Sequence, residues 1–111
     1  NIVVGERNNP CAILIRAIQP IDGVSIMRER TSKTNITDLA SGPGKLSVSL
    51  GINIDSNGEK LTGNKIWIQD SKKIKSSGII SGKRIGVDYA GDDSNLQWRF
   101  YIKNNQHISK K

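Results

Sequence analysis

The chain has 111 residues, of which 35% are hydrophobic and 24% charged, so it supports one small domain or part of a larger one and is too apolar for a disordered segment. Lys and Arg number 17 against 10 Asp and Glu, a net charge of +7 that favours polyanionic partners, nucleic acid first. The composition excludes an internal disulfide framework, with Cys11 as the single cysteine, and a zinc site within the chain, with His107 as the single histidine.

No run approaches the ~20 apolar residues of a membrane helix. The stretch Ala12-Ile13-Leu14-Ile15 ends at Arg16. The first residues lack the basic region and apolar core of an export signal. The chain opens on Asn1 and its only methionine is Met27, which reads as a fragment of a longer reading frame.

In chain order, Cys11 to Ile18 reads as a central strand bracketed by Pro10 and Pro20. Gly23 to Arg30 reads as a helix capped by Asp22, with Val24, Met27 and Ile26 turned inward. Thr37-Asp38-Leu39 forms one helical turn in a polar connector. A second helix starts at Ser41-Gly42-Pro43-Gly44-Lys45-Leu46, where Ser41 can cap and Pro43 suits the first turn. Asp55-Ser56-Asn57-Gly58 is a turn. Lys65 to Gln69 alternates as a half-buried strand does, and Ser71 to Gly78 is a basic connector. Arg84-Ile85-Gly86-Val87 reads as a short strand, Ala90 to Asn95 as a loop, and Leu96 to Ile102 as a strand. Strands predominate over short helices, so the fold class is mixed α+β and not doubly wound α/β.

Several features bear on chemistry, and each has two readings. Arg16 interrupts an apolar strand, and burying its guanidinium costs several kcal/mol unless it is paired. It either serves a site or snorkels to water and salt-bridges Asp22 or Glu29. The glycine-rich turn before Lys45 either presents backbone N–H groups to a phosphate or simply starts a helix. Its spacing is not that of a Walker loop. Lys72, Lys73, Lys75, Lys83 and Arg84, with Arg28, Arg30 and Lys33, form either a phosphate-tracking face or solvated surface. Gly86 permits close approach of the main chain to a ligand, or marks a plain turn. His107 has no nucleophile in a recognisable elbow and reads as a surface residue; Asp92-Asp93 reads as solvent-facing. On residues alone, no general base stands out.

Taken in order, the segments resemble the C-terminal part of the 3-methyladenine (alkyladenine, methylpurine) DNA glycosylase family. The matching stretches are Leu14 to Gly23, Met27-Arg28, Ser41 to Leu46, Ser49 to Asn53, Arg84 to Val87 with Ala90-Gly91, and Trp98 to Tyr101. Their register holds across nearly the whole chain, residues 1–111. The resemblance implies one mixed domain with a curved, mainly antiparallel sheet, and monofunctional excision of alkylated or deaminated purines from double-stranded DNA. The damaged nucleotide would be flipped into a pocket, and a glutamate would activate water against the sugar C1′. It further implies no cofactor or metal, a monomer without membrane association, and a cytoplasmic place, nucleoid-associated in a bacterium.

By the same resemblance, Asn1 matches a pocket asparagine beside the flipped base. Arg16 matches an arginine holding the nucleophilic water and a nearby phosphate, and Ile85 matches a position whose backbone places that water. Gly42, Gly44 and Lys45 match an element close to DNA; Lys73 and Arg84 join them as basic DNA contacts. The catalytic glutamate, the stacking histidine and tyrosine, and the wedging tyrosine of the family all lie upstream of Asn1. Glu6, Glu29 and Glu59 are not in the required motif. Glu6 to Pro10 would form a loop between two family strands. Two outcomes follow: a repair hydrolase completed by an upstream segment, or a catalytically inactive DNA-binding remnant. A third reading, an RNA-binding module, has only the basic character behind it. Unpaired sheet edges would leave the isolated chain marginal and aggregation-prone.

Overall fold

The computed structural model describes residues 1–110. The described residues divide into two compact units, residues 1–67 with 106–110 and residues 68–105. The elements are mixed α+β, and the strand pairing is antiparallel throughout, in two separate two-stranded ladders.

In the first unit, β1 (Ile2–Glu6) pairs with β2 (Asn9–Ile13), from Ile2 opposite Ile13 to Glu6 opposite Asn9. The intervening Arg7 and Asn8 make a tight turn. Gly5 prepares it at φ 86°, where a Cβ would lie 2.9 Å from the carbonyl oxygen of Asn9, so only glycine fits. The expected central strand over Cys11–Ile18 is therefore displaced. The ladder begins before Pro10, every residue of β2 is exposed, and residues 14–20 run on without ladder pairing. β-branched residues satisfied the strand pattern, but this unit offers β2 one partner strand and no apolar layer.

Helix α1 (Val24–Thr31) follows a left-handed Gly23 and carries no side-chain cap, so Asp22 does not take the capping role. Its C-terminal end is held differently: Thr31 Oγ1 donates to the Met27 carbonyl at 2.7 Å and accepts from the Lys33 amide at 3.3 Å. Arg28 and Arg30 stand in its last turn, where cations complement the helix dipole. Met27 is buried and Val24 half-buried, whereas Ile26 points outward with half its surface exposed.

The expected turn near Thr37 is a single 3-10 turn over Ile36–Asp38, capped by Asn35, whose Oδ1 accepts from the Thr37 amide. Helix α2 (Pro43–Leu50) then starts with Gly42 as its N-cap and Pro43 in its first turn, and ends on a left-handed Gly51. α1 packs on α2, and the buried residues of this unit include Met27, Leu39, Ala40, Leu46 and Ser49. Ser49, fully enclosed, donates its hydroxyl proton to the Leu39 carbonyl, which ties α2 to the preceding connector. A backbone bond from the Ile18 amide to the Ala40 carbonyl (3.2 Å) draws the segment after Arg16 onto the same connector.

Further on, Asn53 caps a 3-10 turn over Ile54–Ser56, just before the expected turn at Gly58. The strand expected over Lys65–Gln69 reduces to one bridge, Thr62 with Trp67, and Trp67 remains more than half exposed. With a single pairing partner, the alternation has no sheet to enter.

In the second unit, β3 (Ile79–Gly82) pairs with β4 (Arg99–Ile102), from Ile79 opposite Ile102 to Gly82 opposite Arg99. The strand expected over Arg84–Val87 is not formed. Gly86 stands at φ 74° and bends the chain, and the paired strand lies just upstream. Ala90–Asn95, expected as a loop, falls within two 3-10 turns over Asp88–Asn95 that are broken at Gly91. The Lys103 amide closes this unit by donating to the Gly78 carbonyl at 2.9 Å.

Candidate nucleic-acid interface

The residues predicted to act divide between the two units. Asn1, Arg16, Gly42, Gly44 and Lys45 belong to the first; Lys73, Arg84 and Ile85 belong to the second.

Arg16 lies half-buried in the extended segment after β2, between the exposed Leu14 and the buried Pro20. Asn1 is exposed immediately before β1.

The turn Ser41–Lys45 is the start of α2. Gly42 is extended (φ −178°, ψ 156°), its carbonyl accepts from the Leu46 amide at 2.8 Å, and no side chain caps the helix. Ser41 is thus not the N-cap. Its hydroxyl oxygen accepts from Lys45 Nζ at 3.3 Å instead, and Asp38 Oδ1 stands 3.7 Å from the same ammonium. Lys45 is thereby folded back beside the N-terminus of its own helix, with about half its side chain still exposed.

Lys45 also lines an open groove between α1 and α2. Arg30, Thr31, Lys33, Gly44, Lys45 and Val48 border a space of about 200 Å³. Arg30, Lys33 and Lys45 come to this groove from α1, the loop after it and α2; Arg30 Nη1 donates to the Ser49 carbonyl at 3.0 Å, and Lys45 is held by Ser41 and Asp38. Sequence reading set Arg30 and Lys33 apart from Lys45. The packing of α1 on α2 joins them. The left-handed Ser32 (φ 54°), which turns the chain at the end of α1, gives no warning in its residue type.

In the second unit, Lys73 is exposed on a segment without regular structure. Arg84 is half-buried and engaged inside its own unit. Its Nη2 donates to the Asp93 carbonyl at 2.8 Å, and its guanidinium lies 5.5 Å from the centre of the Trp98 ring. Lys83 Nζ donates to Asn95 Oδ1 at 2.9 Å. Two neighbouring cations therefore fasten the 3-10 segment, a role the sequence did not disclose. Ile85 is half-buried beside the bend at Gly86, so its backbone position is set by that bend. Arg99 stacks over Tyr101 at 4.6 Å.

The carboxylates are placed as follows. Asp92 and Asp93 are exposed, as read. Glu6 and Glu29 are exposed, and Glu59 Oε1 accepts from Lys65 Nζ at 2.7 Å. That hydrogen bond and the charge of Glu59 raise the Lys65 ammonium above its ordinary value. His107 is half-buried, not fully at the surface. Among the described residues, no three His, Cys, Asp or Glu side chains gather into a metal site, and no helix is long and apolar enough to cross a membrane.

The described elements are mixed α+β with antiparallel ladders, and cationic side chains line an open groove between α1 and α2. Comparison with known proteins gives the family. The methylpurine-DNA glycosylase family model matches residues 1–106. Among curated relatives, a protein of Chlorobium phaeobacteroides is 42% identical over 99% of this chain and 55% of its own length. One of Desulfitobacterium hafniense is 37% identical over 100% and 58%, and one of Bacillus licheniformis is 39% identical over 99% and 55%. Each of the three is named "Putative 3-methyladenine DNA glycosylase". The chain belongs to the methylpurine-DNA glycosylase family, and it spans a little over half the length of these relatives.

Proposed function

We propose that this chain is part of a DNA-repair glycosylase that hydrolyses the N-glycosidic bond of alkylated or deaminated purines in double-stranded DNA. The observation that carries the reading is the family match over residues 1–106.

In this reading the damaged nucleotide leaves the stack, at a cost of a few kcal/mol that is least for a damaged base. Asn1 lies beside the flipped purine. The Arg16 guanidinium holds the attacking water and a neighbouring phosphate, and the Ile85 backbone helps place the water. A glutamate outside this chain takes the water's proton as its oxygen bonds to C1′, and the base departs to leave an abasic site. Gly42, Gly44, Lys45, Lys73 and Arg84 follow the phosphate backbone, and the enzyme works as a monomer. Excision in this scheme uses neither a metal nor an organic cofactor.

A second reading is a DNA-binding remnant without activity. Its support is that the glutamates present are exposed on β1 and α1 or, for Glu59, bound to Lys65. Excision assays separate the two. The polypeptide carrying the rest of the family domain should release 3-methyladenine or hypoxanthine from duplex DNA. If it binds duplex and releases no base, the remnant reading holds.

A further inference from the structure

One face of the β3–β4 ladder is built as an interior and stands in water. The register sets Ile79 opposite Ile102 and Ser81 opposite Phe100, and the alternation of strands places these four on one face. Trp98 lies just before β4, with the Arg84 guanidinium 5.5 Å from its ring centre. Phe100 is 65% exposed, Trp98 60%, Ile79 43% and Ile102 42%. Ile80 and Tyr101, on the opposite face, are half-buried, and Arg99 covers the Tyr101 ring. An antiparallel sheet with one wet face normally shows polar residues there. A two-stranded ladder is also marginal by itself in water. Contiguous exposed apolar surface of this kind marks a contact site.

We propose that this face is covered by the part of the family domain that the curated relatives carry beyond their match to this chain. The relatives supply the occupant. This chain accounts for only 55% to 59% of their length, and a segment of the remaining size must pack against something. Aromatic side chains at the centre of the face supply the anchors that such a contact needs. The inference rests on family membership and not on catalysis, so its test contains no activity readout.

The test produces the 111-residue chain together with the unmatched segment of the Chlorobium phaeobacteroides relative. Trp67→Phe makes Trp98 the only tryptophan of the chain, and tryptophans in the segment are likewise replaced by Phe. A one-to-one complex is expected. In it, acrylamide quenching of Trp98 falls severalfold, its emission shifts to the blue, and amides of β3 and β4 gain protection from exchange. Phe100→Leu should retain the complex and Phe100→Lys should lose it. The proposal is overturned if no complex forms, or if one forms while Trp98 stays as quenchable as in the chain alone. It is equally overturned if the chain alone dimerises with Trp98 already protected, because the occupant is then a second copy.

Discussion

Arg30 Nη1 donates to the carbonyl oxygen of Ser49 at 3.0 Å, so a cation from the last turn of α1 closes the C-terminal end of α2. Gly51 makes room for it: a Cβ there would stand 3.0 Å from the Arg30 guanidinium carbon, and the residue lies at φ 67°. Gly51→Ala should therefore destabilise the first unit by about 1–2 kcal/mol from the left-handed backbone alone, with displacement of Arg30 adding to it. Urea denaturation measures this. An unchanged midpoint would mean that the Arg30 contact contributes nothing.

Ser49→Ala removes the hydroxyl that donates to the Leu39 carbonyl, and both residues are fully buried. The expected loss is about 1–3 kcal/mol, the usual cost of leaving a buried acceptor unsatisfied. Ser49→Cys should recover part of it if the thiol donates in the same place. Equal losses for the two variants would point to packing rather than to the hydrogen bond.

The two helices were legible because their signals are local. Pro43 and Gly51 bound α2, and the basic last turn together with Met27 marks α1. The 3-10 turn near Thr37 was likewise read from nearby polar residues; its cap, Asn35, is seen only in the fold. The extent of β2 was not legible, since Cys11 to Ile18 is apolar enough for a central strand and only the fold shows that one partner strand is present. Arg84–Val87 failed for a different reason. Its strand-like residues surround a Gly86 whose positive φ breaks the run. Of the candidate site, individual residues were visible and groupings were not. The convergence of Lys45 with Arg30 and Lys33 is a product of helix packing, and the engagement of Arg84 by Asp93 and Trp98 is a product of the 3-10 segment. Arg16 carried the plainest signal, a charge where apolar residues surround it.

Arg84→Ala should loosen residues 88–95, because it deletes both the bond to the Asp93 carbonyl and the contact with Trp98. Limited proteolysis should cut that segment faster in the absence of DNA. An unchanged cleavage rate would mean that Arg84 does not hold the segment, leaving only its proposed DNA contact.

On the proposed function, substitutions at Arg16 and Lys73 should separate catalysis from affinity in the longer polypeptide. Arg16→Ala should slow single-turnover excision much more than it weakens duplex binding; equal losses would make Arg16 an electrostatic contact only. Lys73→Ala should weaken all duplexes alike and reduce the salt slope by about 1. An effect confined to damaged duplexes would contradict the phosphate role.

Lys65 is largely exposed and paired to Glu59, whose hydrogen bond and charge raise the pKa of the ammonium. A raised lysine stabilises the fold below its unfolded value, near 10.5, and that contribution disappears as pH rises through the folded value. Solvent screening makes it small. Lys65→Ala should leave the melting temperature unchanged near neutral pH. A clear drop there would show the pair to be structural.

The proposed role of these residues is as one part of a damaged-purine glycosylase that acts only with the rest of the domain. Its most direct measurement is base release from a duplex carrying a single hypoxanthine or 3-methyladenine, comparing the 111-residue chain with the longer polypeptide. Release by the longer polypeptide, abolished or severely slowed by Arg16→Ala, with none from the chain alone, is the predicted result. Binding without release by the longer polypeptide, or full release by the chain alone, would contradict it.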